Sequence, residues 1–174
     1  MQPSGKQKRP FFIAFTLAAA MALSGCTATP LYSGGPAAAG VRADLAAISV
    51  LPAADRVGQL VRNELVFAFT GGSLPATPIY ELSLAVTASG GDPNLAGATQ
   101  LSAGVTLTVR YTLVEIASGA AIDGGTVSVE TRYTRSNSAF ANVRAERDAE
   151  ERAAVEAARQ LALDIAAALA ARPA

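Results

Sequence analysis

From Leu101 to Leu113 the chain alternates without a break, with Leu101, Ala103, Val105, Leu107, Val109, Tyr111 and Leu113 on one side and Ser102, Gly104, Thr106, Thr108, Arg110 and Thr112 on the other. A period of two over that length fits an extended strand with one buried face and one wet face, and it excludes a helix. Such a strand needs neighbours. Tyr80, Leu82, Leu84 and Val86 alternate with Glu81, Ser83 and Thr87 before it. After a loop holding Ser118-Gly119 and Asp123-Gly124-Gly125, Val127, Val129 and Tyr133 alternate with Thr126, Ser128, Glu130, Arg132 and Thr134. The loop predicts a hairpin between the last two strands.

Around this core the period changes. Leu45–Leu51 is a short apolar run ended by Pro52, which reads as a first strand buried on both faces. Asp55 is placed as an N-cap, and Val57, Leu60, Val61, Leu65, Ala68 and Phe69 follow at helical spacing as far as Gly71-Gly72. From about Ser138 to Ala171 there is neither Gly nor Pro, and the stretch ends at Arg172-Pro173. It reads as one long helix. Ala154, Ala158, Leu161, Ile165 and Leu169 form its apolar stripe, extended toward its start by Ala145, Ala149, Ala153 and Ala157, small enough for close approach to a sheet. Arg144 with Asp148, Asp148 with Arg152, Arg147 with Glu151 and Arg152 with Glu156 stand four apart and would brace a solvated face. The order strand, helix, three strands, helix predicts an α+β fold: a two-layer sandwich with two helices packed on one face of a four-stranded mixed sheet, the other face polar.

The start of the chain has a different logic. Lys6, Lys8 and Arg9 precede an uncharged apolar run from Phe11 to Leu23, about a dozen residues where a membrane-spanning helix needs roughly 20. That is the pattern of a signal peptide, residues 1–25. Leu23-Ser24-Gly25-Cys26 follows and resembles the lipobox of bacterial lipoproteins. The resemblance implies cleavage before Cys26 and alkylation of its thiol by a diacylglycerol group, with several acyl chains giving stable anchoring where one gives little. Cys26 is the only cysteine, so no intramolecular disulfide can form. Thr27 follows where enterobacterial lipoproteins retained in the inner membrane carry Asp, which implies sorting to the outer membrane. Residues 27–43, rich in Ala, Gly and Pro, read as a tether beginning at the anchor on Cys26, with Pro30-Leu31-Tyr32 able to touch the single domain expected over 44–172.

Charge and composition narrow the function. Of the 14 basic residues three lie in the leader, so the mature chain has 11 arginines, no lysine and 14 acidic residues, a net charge near −3. No basic face for nucleic acid is expected. The chain contains no histidine and spends its one cysteine on the anchor, which removes Ser-His-Asp and Cys-His catalysis and metal sites built on imidazole or thiolate. Glu81, Glu115 and Glu130 could in principle supply a carboxylate pair for glycoside hydrolysis, but no pocket-forming loop flanks them. Glu130 is instead expected to pair diagonally across the hairpin with Arg110. An enzyme and a cofactor are not expected.

Several short elements, in order, resemble the lipopolysaccharide-assembly lipoprotein family LptE in its alphaproteobacterial form. They are Pro30-Leu31-Tyr32 after the lipobox cysteine, the strand ending Arg110-Tyr111-Thr112-Leu113-Val114, the turn Ser118-Gly119, a second strand running to Tyr133, and a helix opened by Phe140-Ala141 and Asp148-Ala149-Glu150. The resemblance implies a non-enzymatic, outer-membrane, periplasm-facing lipoprotein that plugs the β-barrel LptD and assists delivery of lipopolysaccharide. Lipopolysaccharide carries phosphates, so Arg110 and Arg132, which share the open sheet face by strand parity, and Arg135 just beyond it are the candidate contacts. Two alternatives remain: an auxiliary lipoprotein of an Mce or ABC-type lipid transporter, and a small cell-wall hydrolase.

Overall fold

The computed structural model describes residues 36–90 and 102–172. Cys26, the apolar run before it and the first part of the expected tether lie outside the described residues. The elements are α1 (Pro36–Ala46), β1 (Ile48–Val50), α2 (Arg56–Thr70), β2 (Tyr80–Gly90), β3 (Ser102–Glu115), β4 (Ala121–Thr134) and α3 (Ala139–Ala170). The sheet order is β1-β2-β3-β4, parallel between β1 and β2 and antiparallel elsewhere. This is the expected four-stranded mixed sheet in an α+β sandwich, with three helices rather than two among the described residues.

The extra helix is α1, which occupies 36–46 where the sequence suggested unstructured tether as far as residue 43. Its Ala-rich sequence has no apolar stripe to announce it. Leu45 packs on the main core, so tertiary contact stabilises a segment whose local pattern is silent. The first strand is correspondingly shorter than the run Leu45–Leu51, being confined to Ile48–Val50.

Caps set the other helices. Asp55 Oδ1 accepts from the Gly58 amide at 2.7 Å, and the backbone N–H of Gly71, at φ +70°, closes α2 on the Phe67 carbonyl. Ser138 caps α3, its side chain accepting from the Ala141 amide. The core lies between layers: Leu82, Leu107, Val109 and Leu113 from the sheet meet Val61 and Leu65 of α2 and Leu161 and Ile165 of α3. A smaller cluster, Val105, Tyr133 and Ala149, sits under the first turns of α3. Ala149, Ala153, Ala154 and Ala157 are all fully buried, as close helix-on-sheet packing requires.

The hairpin turn is earlier and tighter than Ser118 to Gly125. Gly119 at φ +68° makes the turn, its N–H donating to Glu115, and β4 already begins at Ala121. Asp123, Gly124 and Gly125 are therefore strand residues. The glycines serve close approach: a β-carbon on Gly125 would stand 3.1 Å from the Tyr111 ring, and one on Gly124 would stand 3.3 Å from the Tyr111 carbonyl. A register irregularity between Leu113 and Val114 takes up the extra residue.

Candidate functional site

Among the described residues, the sheet presents one face to the helices and leaves the other bare. On the bare face the pairing sets up rows of small polar groups: Thr87 beside Thr108 beside Ser128, Ser89 beside Thr106 beside Glu130, and Ala85 beside Arg110 beside Thr126. Many of these hydroxyls are engaged within the sheet. Ser83 Oγ donates to the Thr112 carbonyl at 3.3 Å, Ser89 Oγ to the Thr106 carbonyl at 3.4 Å, and Thr108 and Ser128 share a hydrogen bond at 3.4 Å. The charged strand residues of the face are Glu81, Arg110, Glu130 and Arg132, two of each sign.

Register overturns the expected ion pair. Arg110 faces Thr126 and Glu130 faces Thr106, four residues along β4 from one another and not diagonal neighbours. The earlier turn caused this shift. Glu130 bonds Arg132 instead, Nη2 to Oε1 at 3.0 Å, with both side chains more than half exposed, a pair of little net energy. Arg110 is exposed and has no ion partner among the described residues. Arg132 faces Gly104, six residues along β3 from Arg110, which is about 20 Å at strand rise. Arg135 is half-buried beyond the end of β4. The three candidate arginines thus do not form one cluster: Arg110 stands alone in mid-sheet, while Arg132 and Arg135 belong to its far end.

That far end is organised by α3. Arg152 Nη2 donates to the Arg132 carbonyl at 3.2 Å on the free edge of β4, while its Nε bonds Asp148 at 3.1 Å. Thr131 Oγ1 donates to the Ala149 carbonyl at 2.8 Å. Arg56 at the start of α2 pairs with Glu150. Of the four ion pairs suggested by spacing on this helix, only Asp148 with Arg152 forms among the described residues, since Arg159 takes Glu156. Arg144 and Arg147 have no acidic partners among the described residues, and near them Phe140 is 77% exposed. Spacing alone predicts a solvated charge run over this stretch. The signal available was the spacing of Phe140, Arg144 and Arg147 by four and three.

At the opposite end Arg172, the last described residue, is clamped. Arg172 Nη1 donates to the Tyr80 hydroxyl at 2.9 Å and Nη2 approaches Glu115 at 3.5 Å, the guanidinium lying 5.6 Å from the Tyr80 ring centre. The Ser118 hydroxyl donates to Glu115 at 2.6 Å, and this bond holds the carboxyl below its ordinary range; burial opposes it, and Arg172 adds smaller lowering effects. Nearby, Tyr111 donates to Asp123 at 2.9 Å; burial first, then the carboxylate, push its hydroxyl above the ordinary tyrosine range. Of the three acids considered for catalysis, Glu115 is in the clamp, Glu130 is paired with Arg132, and Glu81 faces Val114 on the open side. Among the described residues no His, Cys, Asp and Glu cluster could hold a metal, and no helix is long and apolar enough to cross a membrane.

Comparison with known proteins gives the family. The model of the family LptE, described as lipopolysaccharide-assembly, matches residues 45–165, most of the chain. No curated protein sequence matches significantly. Among solved structures, a protein from Caulobacter crescentus CB15 described as a candidate lipoprotein is 29% identical over 78% of this chain and 99% of its own, with a TM-score of 0.66. A minor lipoprotein from Acinetobacter baumannii and the rare lipoprotein B of Shewanella oneidensis each reach a TM-score of 0.50, at 16% and 13% identity. They cover 69% of this chain and 88% and 92% of their own, and they share its fold.

Proposed function

Since the chain belongs to the LptE family of lipopolysaccharide assembly, we propose that it is an outer-membrane lipoprotein, held by lipid on Cys26, that plugs the LptD β-barrel and assists lipopolysaccharide transport and insertion. The observation that carries this reading is the bare sheet face. Its Ser and Thr rows, balanced in charge, suit a partner wall that is itself polar, as the interior of an outer-membrane barrel is. A helix-covered face on the other side lets the domain be compact and still keep one broad hydrophilic surface for contact.

The anchor and the tether fit the same role. From Cys26 to Pro36 there are ten residues, a reach of at most about 35 Å when extended, so an acylated Cys26 keeps the domain beside the membrane that holds the barrel. Arg110, Arg132 and Arg135 remain the proposed lipopolysaccharide contacts. Their separation means that no single phosphate touches both Arg110 and Arg132, and contact would be distributed along an extended glycolipid. The clamp and the hydrogen-bonded Tyr111 hold the fold together and need no catalytic role.

Purification of the tagged full-length chain from membranes in mild detergent tests the reading, with LptD expected as the co-purifying barrel. Recovery of an inner-membrane transport complex in its place would overturn it in favour of the auxiliary-transporter alternative. Cys26→Ser is expected to release the chain from the membrane fraction. Arg110→Ala combined with Arg132→Ala is expected to weaken lipopolysaccharide binding, and unchanged binding removes the proposed contacts.

A further inference from the structure

We propose that the outward face of the first turns of α3, made of Phe140, Arg144 and Arg147, is a gripping surface for the barrel partner, taking a protein patch that offers carboxylates beside an apolar recess. This rests on the barrel-partner reading and adds where the binding energy lies. At about 100° per residue, Phe140, Arg144 and Arg147 fall within about 60° of one another on the helix. Asn142 and Ala149, both buried, lie roughly opposite.

Three observations single out this face. Phe140 is a large aromatic side chain left 77% exposed at the very start of a helix. Of the four acids of the same segment, Glu150 pairs with Arg56 and Asp148 with Arg152, while the Glu146 carboxylate lies over Gly90, in the space that a β-carbon there would occupy. Glu151, a turn beyond Arg147, makes no ion pair with it. Arg144 and Arg147 are therefore exposed guanidiniums without ion partners among the described residues, in a chain that after its expected leader has 14 acidic residues against 11 arginines.

Aromatic residues and arginine are the types that carry most of the energy of protein interfaces, whereas Ser and Thr, which fill the open sheet face, contribute little. Two free guanidinium forks ask for carboxylates, which they bind bidentately and with orientation. An anionic bilayer is the weaker occupant. Binding to it through charge uses clusters of about four to eight basic residues, and this face has two, with Glu151 beside them.

The test places the photoreactive residue p-benzoylphenylalanine in place of Phe140 and, separately, of Thr108 on the open sheet face, in full-length chains expressed in cells. The barrel captured from Phe140 supports the inference. Barrel captured from Thr108 alone overturns it and leaves the functional reading standing, phospholipid captured from Phe140 overturns it in favour of a membrane contact, and no barrel from either position brings down both. In parallel, Arg144→Glu with Arg147→Glu is expected to lower recovery of the barrel about tenfold at physiological salt with the circular dichroism spectrum unchanged; undiminished recovery overturns the inference.

Discussion

Replacing Ala153 by Leu tests the claim that α3 is alanine-rich because it lies directly on its neighbours. Ala153 is fully buried within the main core, and Val155, two residues along the same helix, is 40% exposed. Leu adds three carbons to Ala153. If α3 could lift to admit them, burial would return up to about 2.4 kcal/mol at roughly 0.8 kcal/mol per methylene. It cannot lift freely, because Ala149, Ala154, Ala157 and Ala158 are packed to the same degree and Arg56 with Glu150 and Arg152 with the Arg132 carbonyl fix the helix on either side. Overpacking therefore wins, at about 1–3 kcal/mol. For a domain of this size about 2 kcal/mol lowers the melting temperature by about 8 °C. Val155→Leu, on the outward side, is expected to stay within about 0.5 kcal/mol of the parent. Urea and thermal unfolding followed by circular dichroism measure both. Equal stability of the two variants would refute the packing argument.

Other consequences follow from the caps and the titrating groups. Asp55→Ala removes the acceptor of the Gly58 amide and is expected to cost about 1 kcal/mol, read as a lower urea midpoint. Glu115 has its acidity strengthened in the fold, so it adds stability above its unfolded pKa, and that contribution is lost as pH falls through the lower folded value; Glu115→Gln should flatten the acid side of a stability-against-pH curve. Tyr111 is shifted the other way. Its contribution is present below the unfolded tyrosine pKa and is lost as pH rises through the higher folded value, so a spectrophotometric titration should show a late-ionising component that Tyr111→Phe removes.

Much of the fold was legible because long segments carry one periodicity each. The alternation through β3 left no second interpretation, and α2 announced both ends, through Asp55 and Gly71. Where the structure departs from the sequence pattern, the physical causes differ. In α1 the stabilising contact is tertiary, through Leu45, and the local pattern of Ala and Gly is neutral. In β4 Gly124-Gly125 has the composition of a turn but serves close approach to Tyr111, a partner that sequence spacing does not reveal. Moving that turn moved the register, which took Glu130 away from Arg110. The ion pairs of α3 depart from their spacing for a related reason. Spacing by four says which pairs are possible, while Arg56, Arg159 and the Arg132 carbonyl, competing from the same helix and from other elements, decide which form. Phe140, Arg144 and Arg147 stood in the sequence throughout, concealed by a run of charges that looked self-neutralising.

The two faces of the sandwich differ in what they can give a partner. A hydroxyl that already donates within the sheet, as Ser83 and Ser89 do to β3 carbonyls, gains little net energy by exchanging that bond for another. The open face can therefore lie against a polar wall at low cost without binding it tightly. Its free edge on β4 is likewise blunted, by the polar residues Thr126, Ser128 and Glu130 and by Arg152 on the Arg132 carbonyl, which disfavours strand addition by a second copy of the chain. An unpaired guanidinium or an exposed phenyl ring is in the opposite position, since each exchanges water for a contact it does not yet have. On the barrel-partner reading, the division follows from these energies: the sheet supplies a compatible surface of large area, and the start of α3 supplies the few contacts that hold it.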